Sequence, residues 1–295
     1  MEEQIERAPG NIATSTILLL KPRIIISVAF TGFVGMVLAN GAIPAAEPIV
    51  LCVLSLLLSA GGAAILNNIL DKRFDILMKR LNKRVEAMRV VGERLALIIA
   101  IAFILISLLI SFYFINSVNA ILILAAVLSY TVLYTLYLKR SSPYGTILGG
   151  IPGALPVLIG YSAVNPGLGI DGIILFVFMI LWQPPHFWAL AQKYKDDYKS
   201  AGVPVMPVVF GEKYTNIFIL LYSLSLLPLS LSLWFLGYSS AYFAVLAIIF
   251  GIHFEYTIIK CVLRNSGYGR AFGISILYML AIMISLVLDI SLNSI

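Results

Sequence analysis

Three oxygen-bearing side chains follow one another at four-residue intervals near the end of the second apolar run. Asn67, Asp71 and Asp75 line one face of a helix if that helix continues through them. Two carboxylates on one face repel each other slightly, and a bound cation removes that cost. Oxygen ligands suit a hard cation such as Mg²⁺, which proteins bind through one or two carboxylates together with a substrate's phosphate oxygens. The spacing therefore predicts a site for Mg²⁺ and a diphosphate.

Basic residues stand close to this acidic face. Four cations lie within 79–84, and they suit a multiply charged anion better than they balance two carboxylates. Simple ion pairing at the water interface is the alternative, because Asp75 and Lys79 form an ordinary i, i+4 pair. Lys139 and Arg140 end the fourth apolar run as a second cationic pair. The residues expected to bind the diphosphate are Asn67, Lys79, Arg80, Lys139, Arg140 and Lys193.

A second acidic pair, Asp196 and Asp197, follows the sixth apolar run. Neighbours on a helix point about 100° apart, so only one of the two can face a site well. A salt bridge between Lys193 and Asp197 is the structural alternative. Acidic clusters on the same side of a membrane fit two Mg²⁺ ions that clamp one diphosphate. The predicted metal ligands are Asn67, Asp71, Asp75, Asp196 and Asp197, and Asp71, Asp75 and Asp197 are expected to be catalytic.

The sixth apolar run contains Pro184 and Pro185 directly before His186. The prolines are expected to break the helix and free carbonyls that line a cavity. Helix packing, ligation of haem iron and general-base catalysis are the open interpretations of His186. If the helix is continuous, the eleven residues from His186 to Asp197 span about 16 Å. His186 then lies too far away to share a metal with Asp197, and it suits an acceptor held deeper in the membrane, beside the flat rings of Phe187 and Trp188.

Three tyrosines close the fourth apolar run, at helical spacings of i, i+4 and i+7. Tyr137 is explained by the belt of aromatic residues that membrane proteins place at the lipid headgroups. Tyr130 and Tyr134 lie deeper, where the faces of their rings can stabilise a carbocation through the ring quadrupole. We therefore expect Tyr130 and Tyr134 to face the reacting group, with simple packing as the alternative.

These clusters must be positioned by helices that cross a membrane. The chain has 295 residues, is 61% hydrophobic and only 12% charged, and has a mean hydropathy of +1.00, which excludes an ordinary soluble domain. Runs such as 101–110 and 241–252 are almost unbroken apolar sequence, unlike the alternation of a β-barrel. We expect a single all-α domain over residues 1–295, a bundle of about nine transmembrane helices around a central cavity that opens toward the cytoplasm.

The basic residues predict the orientation of this bundle. Helices are predicted near residues 24–40, 49–70, 95–114, 118–138, 145–163, 171–191, 215–236, 239–259 and 271–291. All 20 Lys and Arg residues then lie on one side, which the positive-inside rule makes cytoplasmic. The amino terminus and the polar segments at about 71–94 and 192–214 are expected there, and the carboxyl terminus on the outer side of a cell membrane. Most of this charge sets orientation and contacts anionic lipid, so no nucleic acid is expected as a partner.

Five motifs occur in order along the chain. They are Asn67-x₃-Asp71-x₃-Asp75, the segments 134–140, 149–156 and 182–190, and Asp197-Tyr198-x₂-Ala201-Gly202. Together they resemble the UbiA-type intramembrane prenyltransferases, and the last two resemble the protoheme IX farnesyltransferase branch of that family. The resemblance implies Mg²⁺-dependent transfer of farnesyl from farnesyl diphosphate to a vinyl group of haem B, with release of diphosphate. We expect His186, Trp182 and Phe187 to bind the haem acceptor.

The expected partners are therefore farnesyl diphosphate, haem B and the lipid bilayer, with haem-handling or oxidase-assembly proteins as further partners. One alternative keeps the prenyltransferase but changes the acceptor to a quinone precursor, a chlorin or an isoprenoid glycerol. Another alternative is a cation-coupled transporter in which Asp71, Asp75 and Asp197 bind the transported ion. Against the transporter, these carboxylates cluster at the membrane interface and not at mid-membrane.

Overall fold

The computed structural model describes residues 10–293, and within that range it contains helices and turns but no strand. The helices, in chain order, are α1 (Ile12–Leu20), α2 (Pro22–Asn40), α3 (Ala46–Asp75), α4 (Asn82–Val91), α5 (Glu93–Ile115), α6 (Ser117–Ser141), α7 (Gly145–Val164), α8 (Ile170–Lys193), α9 (Lys195–Ser200), α10 (Met206–Val209), α11 (Gly211–Phe235), α12 (Ala241–Arg264) and α13 (Tyr268–Asn293). The predicted all-α fold is confirmed.

Nine helices in the described part of the chain are long and apolar enough to cross a membrane, which confirms the predicted number of spans. They are α2, α3, α5, α6, α7, α8, α11, α12 and α13. Each predicted span falls on one of them. The span that most exceeds its predicted length is α3. It continues to Asp75 and so carries Asn67, Asp71 and Asp75 on one helix. The protein is a multi-pass membrane protein.

Small residues allow the first half of the bundle to pack closely. A Cβ added to Gly160 of α7 would overlap the backbone of Gly32 in α2, so these two helices touch through their main chains. In the second half, α8 packs against α11 and α13 around large buried rings, among them Phe178, Trp188 and Phe254. The packing fixes the ends of α3, α6 and α8 next to one another.

One end of the bundle, which we call the basic end, carries Lys21, Arg80, Lys139 and Lys193. There the short helices α1 and α4 pack on each other and on α3. Lys21 joins α1 to α2 in a left-handed backbone conformation, with φ of 58° and ψ of 62°. A left-handed conformation is unfavourable for a residue with a side chain, and such conformations cluster at functional sites.

The expectation for the sixth span is corrected in two respects. Pro184 and Pro185 do not break α8, which runs as one helix from Ile170 to Lys193 with both prolines buried inside it. The bundle packed around α8 stabilises the helix despite its two missing N–H donors. The helix is also not continuous to Asp197, because it ends at Lys193 and the chain turns at Tyr194 before α9 begins. The distance of about 16 Å between His186 and Asp197, which assumed a straight helix, therefore does not apply.

The end of α6 has more residues per turn than the α-helix that the tyrosine spacing predicts. Ser129–Leu138 form a π-helix, in which the Thr135 hydroxyl donates a hydrogen bond to the Tyr130 carbonyl at 2.8 Å. A π-helix bonds residues five apart, and such segments occur mainly at functional sites. Tyr137 is 64% exposed, which is compatible with the place in the aromatic belt that its sequence position predicts.

Candidate active site

The end of α3 provides the acidic centre of the site. Asp71 is 1% exposed, and its Oδ2 accepts hydrogen bonds from Lys139 Nζ at 2.5 Å and from Asn67 Nδ2 at 2.7 Å. Arg140 Nη2 lies 3.7 Å from Asp71 Oδ1 and donates to the Leu70 carbonyl at 2.9 Å. The sequence placed these charges on two separate helices, and the structure brings them into contact because α3 and α6 end side by side.

Lys21 is a residue of the site that the sequence analysis did not select. Its side chain is buried, and Nζ donates a 2.6 Å hydrogen bond to Asn67 Oδ1. Burial, together with the nearby charges of Arg84 and Lys139, lowers the pKa of Lys21 to about 7. In the sequence, Lys21 stands out only as a lysine directly before Pro22 at the start of the first span. A basic residue at that position indicates the orientation of the helix in the membrane and no role in a site.

These groups line a cavity of about 130 Å³ at the basic end, which we call the first cavity. The predicted site residues in its lining are Asn67, Asp71, Asp75, Arg80, Tyr130, Tyr134 and Lys139, and they are joined by Lys21, Arg84 and Tyr198. The rings of Tyr130 and Tyr134 stack with centroids 6.1 Å apart and planes at 11°. Thr135 accepts a hydrogen bond from Asn67 Nδ2 at 3.0 Å and was also missed. Thr135 and Tyr198 belong to the motifs quoted above, but no role was assigned to them.

Asp197 does not line the first cavity itself but pairs with Arg80, which does. Arg80 Nε lies 3.8 Å from Asp197 Oδ2, and the guanidinium lies 5.0 Å and 4.8 Å from the ring centroids of Tyr194 and Tyr198. Asp196 on the same short helix is exposed, which agrees with the expectation that only one neighbour faces the site. Lys79 and Lys193 are exposed and are not part of the cavity lining.

The residues of the first cavity fit Mg²⁺ by their chemistry. Asp71 Oδ1 is buried without a hydrogen-bond partner, and Asp75 and Asn67 provide further oxygens on the same helix face. The ammonium groups of Lys21 and Lys139 contact oxygens of Asn67 and Asp71 that could also bind a metal ion. Across residues 10–293, no three His, Cys, Asp or Glu side chains converge closely enough to hold a metal ion by themselves. A bound Mg²⁺ would therefore need oxygens from a substrate as well.

His186 lies away from this centre, on the side of α8 that faces α13. Its Nδ1 is 2.7 Å from the Ser275 hydroxyl, and its ring stacks between Trp182 and Phe272 with centroid distances of 4.4 Å to each. Trp182 Nε1 donates to the Ser275 carbonyl at 2.8 Å. The ring centroids of Phe187 and Tyr198 are 6.0 Å apart, and Tyr198 lines the first cavity. Of the three predicted acceptor residues, Phe187 is therefore the one that adjoins this cavity.

The chain is similar to known proteins both in sequence and in fold. The UbiA prenyltransferase family matches residues 28–284. A protoheme IX farnesyltransferase of Geotalea uraniireducens (strain Rf4) is 44% identical over 255 residues, 86% of this chain and 98% of that relative. A solved structure of digeranylgeranylglyceryl phosphate synthase has a TM-score of 0.77 at 18% identity, covering 95% of this chain and 98% of its own. A UbiA homologue from Archaeoglobus fulgidus, bound to GPP and Mg²⁺, has a TM-score of 0.63 at 17% identity, covering 92% and 99%.

The chain therefore belongs to the UbiA prenyltransferase family, a class of membrane-embedded enzymes whose fold it shares over nearly its whole length. The identity to the Geotalea relative places it, within that family, among the protoheme IX farnesyltransferases. The resemblance found in the sequence motifs is confirmed. Membership of an enzyme family does not favour the alternative of a cation-coupled transporter.

Proposed function

We propose that the protein transfers the farnesyl group of farnesyl diphosphate to a vinyl group of haem B with the help of Mg²⁺. The choice of farnesyl and haem rests on the names of the relatives that cover most of the chain. The single structural observation that carries the proposal is the contact of Asp71 and Asn67 with Lys139 and Lys21 in one buried cavity. Acidic oxygens for a metal and ammonium groups for a phosphate are thus held within hydrogen-bond distance of each other.

The residues have the following proposed roles. Asn67, Asp71, Asp75 and Asp197 hold Mg²⁺, which when bound would neutralise charge on the leaving diphosphate. Lys21, Arg80, Lys139 and Arg140 add positive charge, with Arg84 beside them. Lys79 and Lys193 stay predictions as diphosphate ligands, and exposed Asp196 is proposed to be the member of the acidic pair that does not face the metal. His186, Trp182 and Phe187 are proposed to position the porphyrin.

The reaction follows from this arrangement. The C–O bond of the allylic diphosphate breaks, and its electron pair leaves with the diphosphate. The parallel rings of Tyr130 and Tyr134 stabilise the allylic cation. The vinyl group of the porphyrin supplies the electrons of the new C–C bond, and water adds to the resulting cation and releases a proton. The surrounding apolar helices keep bulk water from reaching the first cation too early.

We further propose that residues 1–295 form one domain in a cell membrane with the basic end facing the cytoplasm. The segregation of Lys and Arg supports this orientation. The termini themselves, residues 1–9 and 294–295, lie outside the described part of the chain. Haem-handling or oxidase-assembly partners stay a prediction.

The test is a reconstituted assay with purified protein, Mg²⁺, labelled farnesyl diphosphate and haem B. The porphyrins are separated, and their masses are measured by mass spectrometry. The expected product is haem that has gained one farnesyl group and one hydroxyl group. Parallel reactions replace haem with a quinone precursor, a chlorin or an isoprenoid glycerol. Prenylation of one of these acceptors, with haem left unmodified, would overturn the choice of acceptor and leave the prenyltransferase assignment intact.

A further inference from the structure

A second cavity lies beside the first at the basic end, between the end of α3, α4 and the start of α5. Its volume is about 230 Å³, compared with about 130 Å³ for the first cavity. Asp75 and Arg84 line both cavities. The two spaces therefore share a wall to which these two side chains contribute.

The lining of the second cavity combines charges of both signs. Lys72 and Arg89 join Arg84 as cations, and Glu93 joins Asp75 as a carboxylate. Lys72 pairs with Glu93, and Arg89 pairs with Glu86, which does not line the cavity. All of these side chains come from the end of α3, from α4 or from the first residue of α5, so the cavity is built by three elements.

Asn68 provides a second and independent observation. It is 4% exposed and lines the second cavity, and its Nδ2 donates to the Leu19 carbonyl at 2.9 Å. This bond directs the amide oxygen Oδ1 away from Leu19, and Oδ1 is buried with no hydrogen-bond partner among the described residues. A buried unpartnered acceptor is uncommon and costly, and Asn68 brings one to the wall of the second cavity.

The second cavity has the same types of polar residue as the first, although Ile76, Val85 and Met88 also line it. Each has an asparagine amide, carboxylates and several Lys or Arg side chains. The amides come from adjacent residues, Asn67 and Asn68, which point about 100° apart on α3 and so face different cavities. A lining with both acceptors and cations fits a ligand that is itself both a cation and an anion. The magnesium complex of diphosphate is such a ligand, because its metal-bound waters donate hydrogen bonds while its phosphate oxygens accept them.

We propose that the second cavity binds the magnesium complex of inorganic diphosphate after the prenyl group has been transferred. This inference rests on the proposed function. The diphosphate crosses the wall formed by Asp75 and Arg84, and Arg84 contacts it on both sides. Water occupies about 30 Å³ per molecule, so 230 Å³ accommodates a diphosphate with part of its hydration shell. Removing the diphosphate from the first cavity frees that cavity for the next farnesyl diphosphate.

The test compares two double variants with the same change in charge. Lys72→Gln with Arg89→Gln removes two cations that line only the second cavity. Arg73→Gln with Arg94→Gln is the matched control, because these exposed neighbours line neither cavity. Purified protein is first saturated with farnesyl thiodiphosphate, an analogue that ionises poorly, in the presence of Mg²⁺. Inorganic diphosphate is then titrated by calorimetry.

The wild type and the control are expected to bind one further diphosphate per chain. The Lys72 and Arg89 variant is expected to bind it about tenfold more weakly, equivalent to about 1.4 kcal/mol. Absence of binding to the saturated wild type, or equal affinity in both double variants, would overturn the inference alone. A protein that fails to bind the analogue at all would overturn the proposed function, and the inference would fall with it.

A lipid headgroup carries the same phosphate chemistry, so the titration is repeated in bilayers of phosphatidylcholine with and without phosphatidylglycerol. Binding of the further diphosphate that is the same in both bilayers supports the inference. Binding that disappears when the anionic lipid is present would assign the cavity to a lipid phosphate and would overturn it.

Discussion

Asp71 is the residue on which the charges of the first cavity converge. It is buried between Lys139 and Arg140 and is held by Asn67. Replacing its carboxylate with an amide removes a metal ligand and leaves two cations facing each other without their counter-ion. We expect Asp71→Asn to lower Mg²⁺-dependent turnover by at least about 100-fold, equivalent to about 2.7 kcal/mol. The rate is measured over a series of Mg²⁺ concentrations.

Asp75→Asn and Asp197→Asn should act in the same direction, while Asp196→Asn serves as the control. Asp196 is exposed beside Asp197, so its amide variant should stay within about twofold of the wild-type rate. Circular dichroism should show unchanged helix content in all of these proteins, because the substitutions lie at one end of the bundle. Full Mg²⁺-dependent activity in the variants of Asp71, Asp75 and Asp197 would contradict the assignment of these residues to the metal.

His186 is a residue with two interpretations that a spectrum can separate. Its hydrogen bond to Ser275 and its position between two rings satisfy it as a packing residue. If it also positions the porphyrin, His186→Ala should weaken haem binding about tenfold and shift the Soret band, while Mg²⁺-dependent binding of farnesyl diphosphate is unchanged. Haem titration followed by absorbance gives both quantities.

Ser275→Ala is the matched control for His186, because it removes the hydrogen-bond partner but keeps the imidazole. Its Soret band should stay at the wild-type position if the imidazole itself contacts haem. A His186→Ala protein with normal affinity and a normal spectrum would leave His186 as a packing residue of α8 and α13.

The π-helical end of α6 is the element that shapes the first cavity. Thr135 uses its hydroxyl twice, donating to the Tyr130 carbonyl and accepting from Asn67. Thr135→Val keeps the shape and removes both bonds, so it should misplace Asn67 and lower kcat/KM about tenfold. Steady-state kinetics with farnesyl diphosphate as the varied substrate measures the effect.

Thr131 is the control within the same π-helix. It is also buried, but its hydroxyl bonds only the Val127 carbonyl, at 2.6 Å. Thr131→Val should lose a similar amount of thermal stability and keep kcat/KM within about twofold of the wild type. Equal kinetic losses in the two variants would show that the π-helix as a whole matters and not the contact to Asn67.

The elements also show what sequence patterns can and cannot predict. Apolar runs predicted the spanning helices, because length and composition suffice for a membrane span. The four-residue spacing of Asn67, Asp71 and Asp75 predicted their shared face, because α3 is a regular helix there. The π-helix of α6 was missed, since periodicity analysis assumes 3.6 residues per turn. Lys21 was missed because its contact with Asn67 is 46 residues away in sequence, and only packing brings the two together.

At the scale of the whole molecule, the segregation of charge predicts orientation. Ser200 lies at the basic end and Ile43 in the loop at the other end, and both are exposed. In a background without Cys52 and Cys261, Ser200→Cys should react with a membrane-impermeant maleimide only after cells are permeabilised, whereas Ile43→Cys should react in intact cells. The reversed pattern would invert the proposed topology without affecting the site.

The left-handed Lys21 links the packing of α1 to the first cavity. Leu19, two residues earlier, packs in one cluster with Ala87 and Met88 of α4 and Ile65 of α3, while Lys21 Nζ contacts Asn67 inside the first cavity. Because only Leu20 separates Leu19 from Lys21, the packing of α1 helps to fix the position of the ammonium group. Removing residues 1–20 should therefore leave the spanning helices folded but raise the KM for farnesyl diphosphate several-fold, about as much as Lys21→Gln does. A helix outside the nine spans would then contribute to the affinity for the substrate.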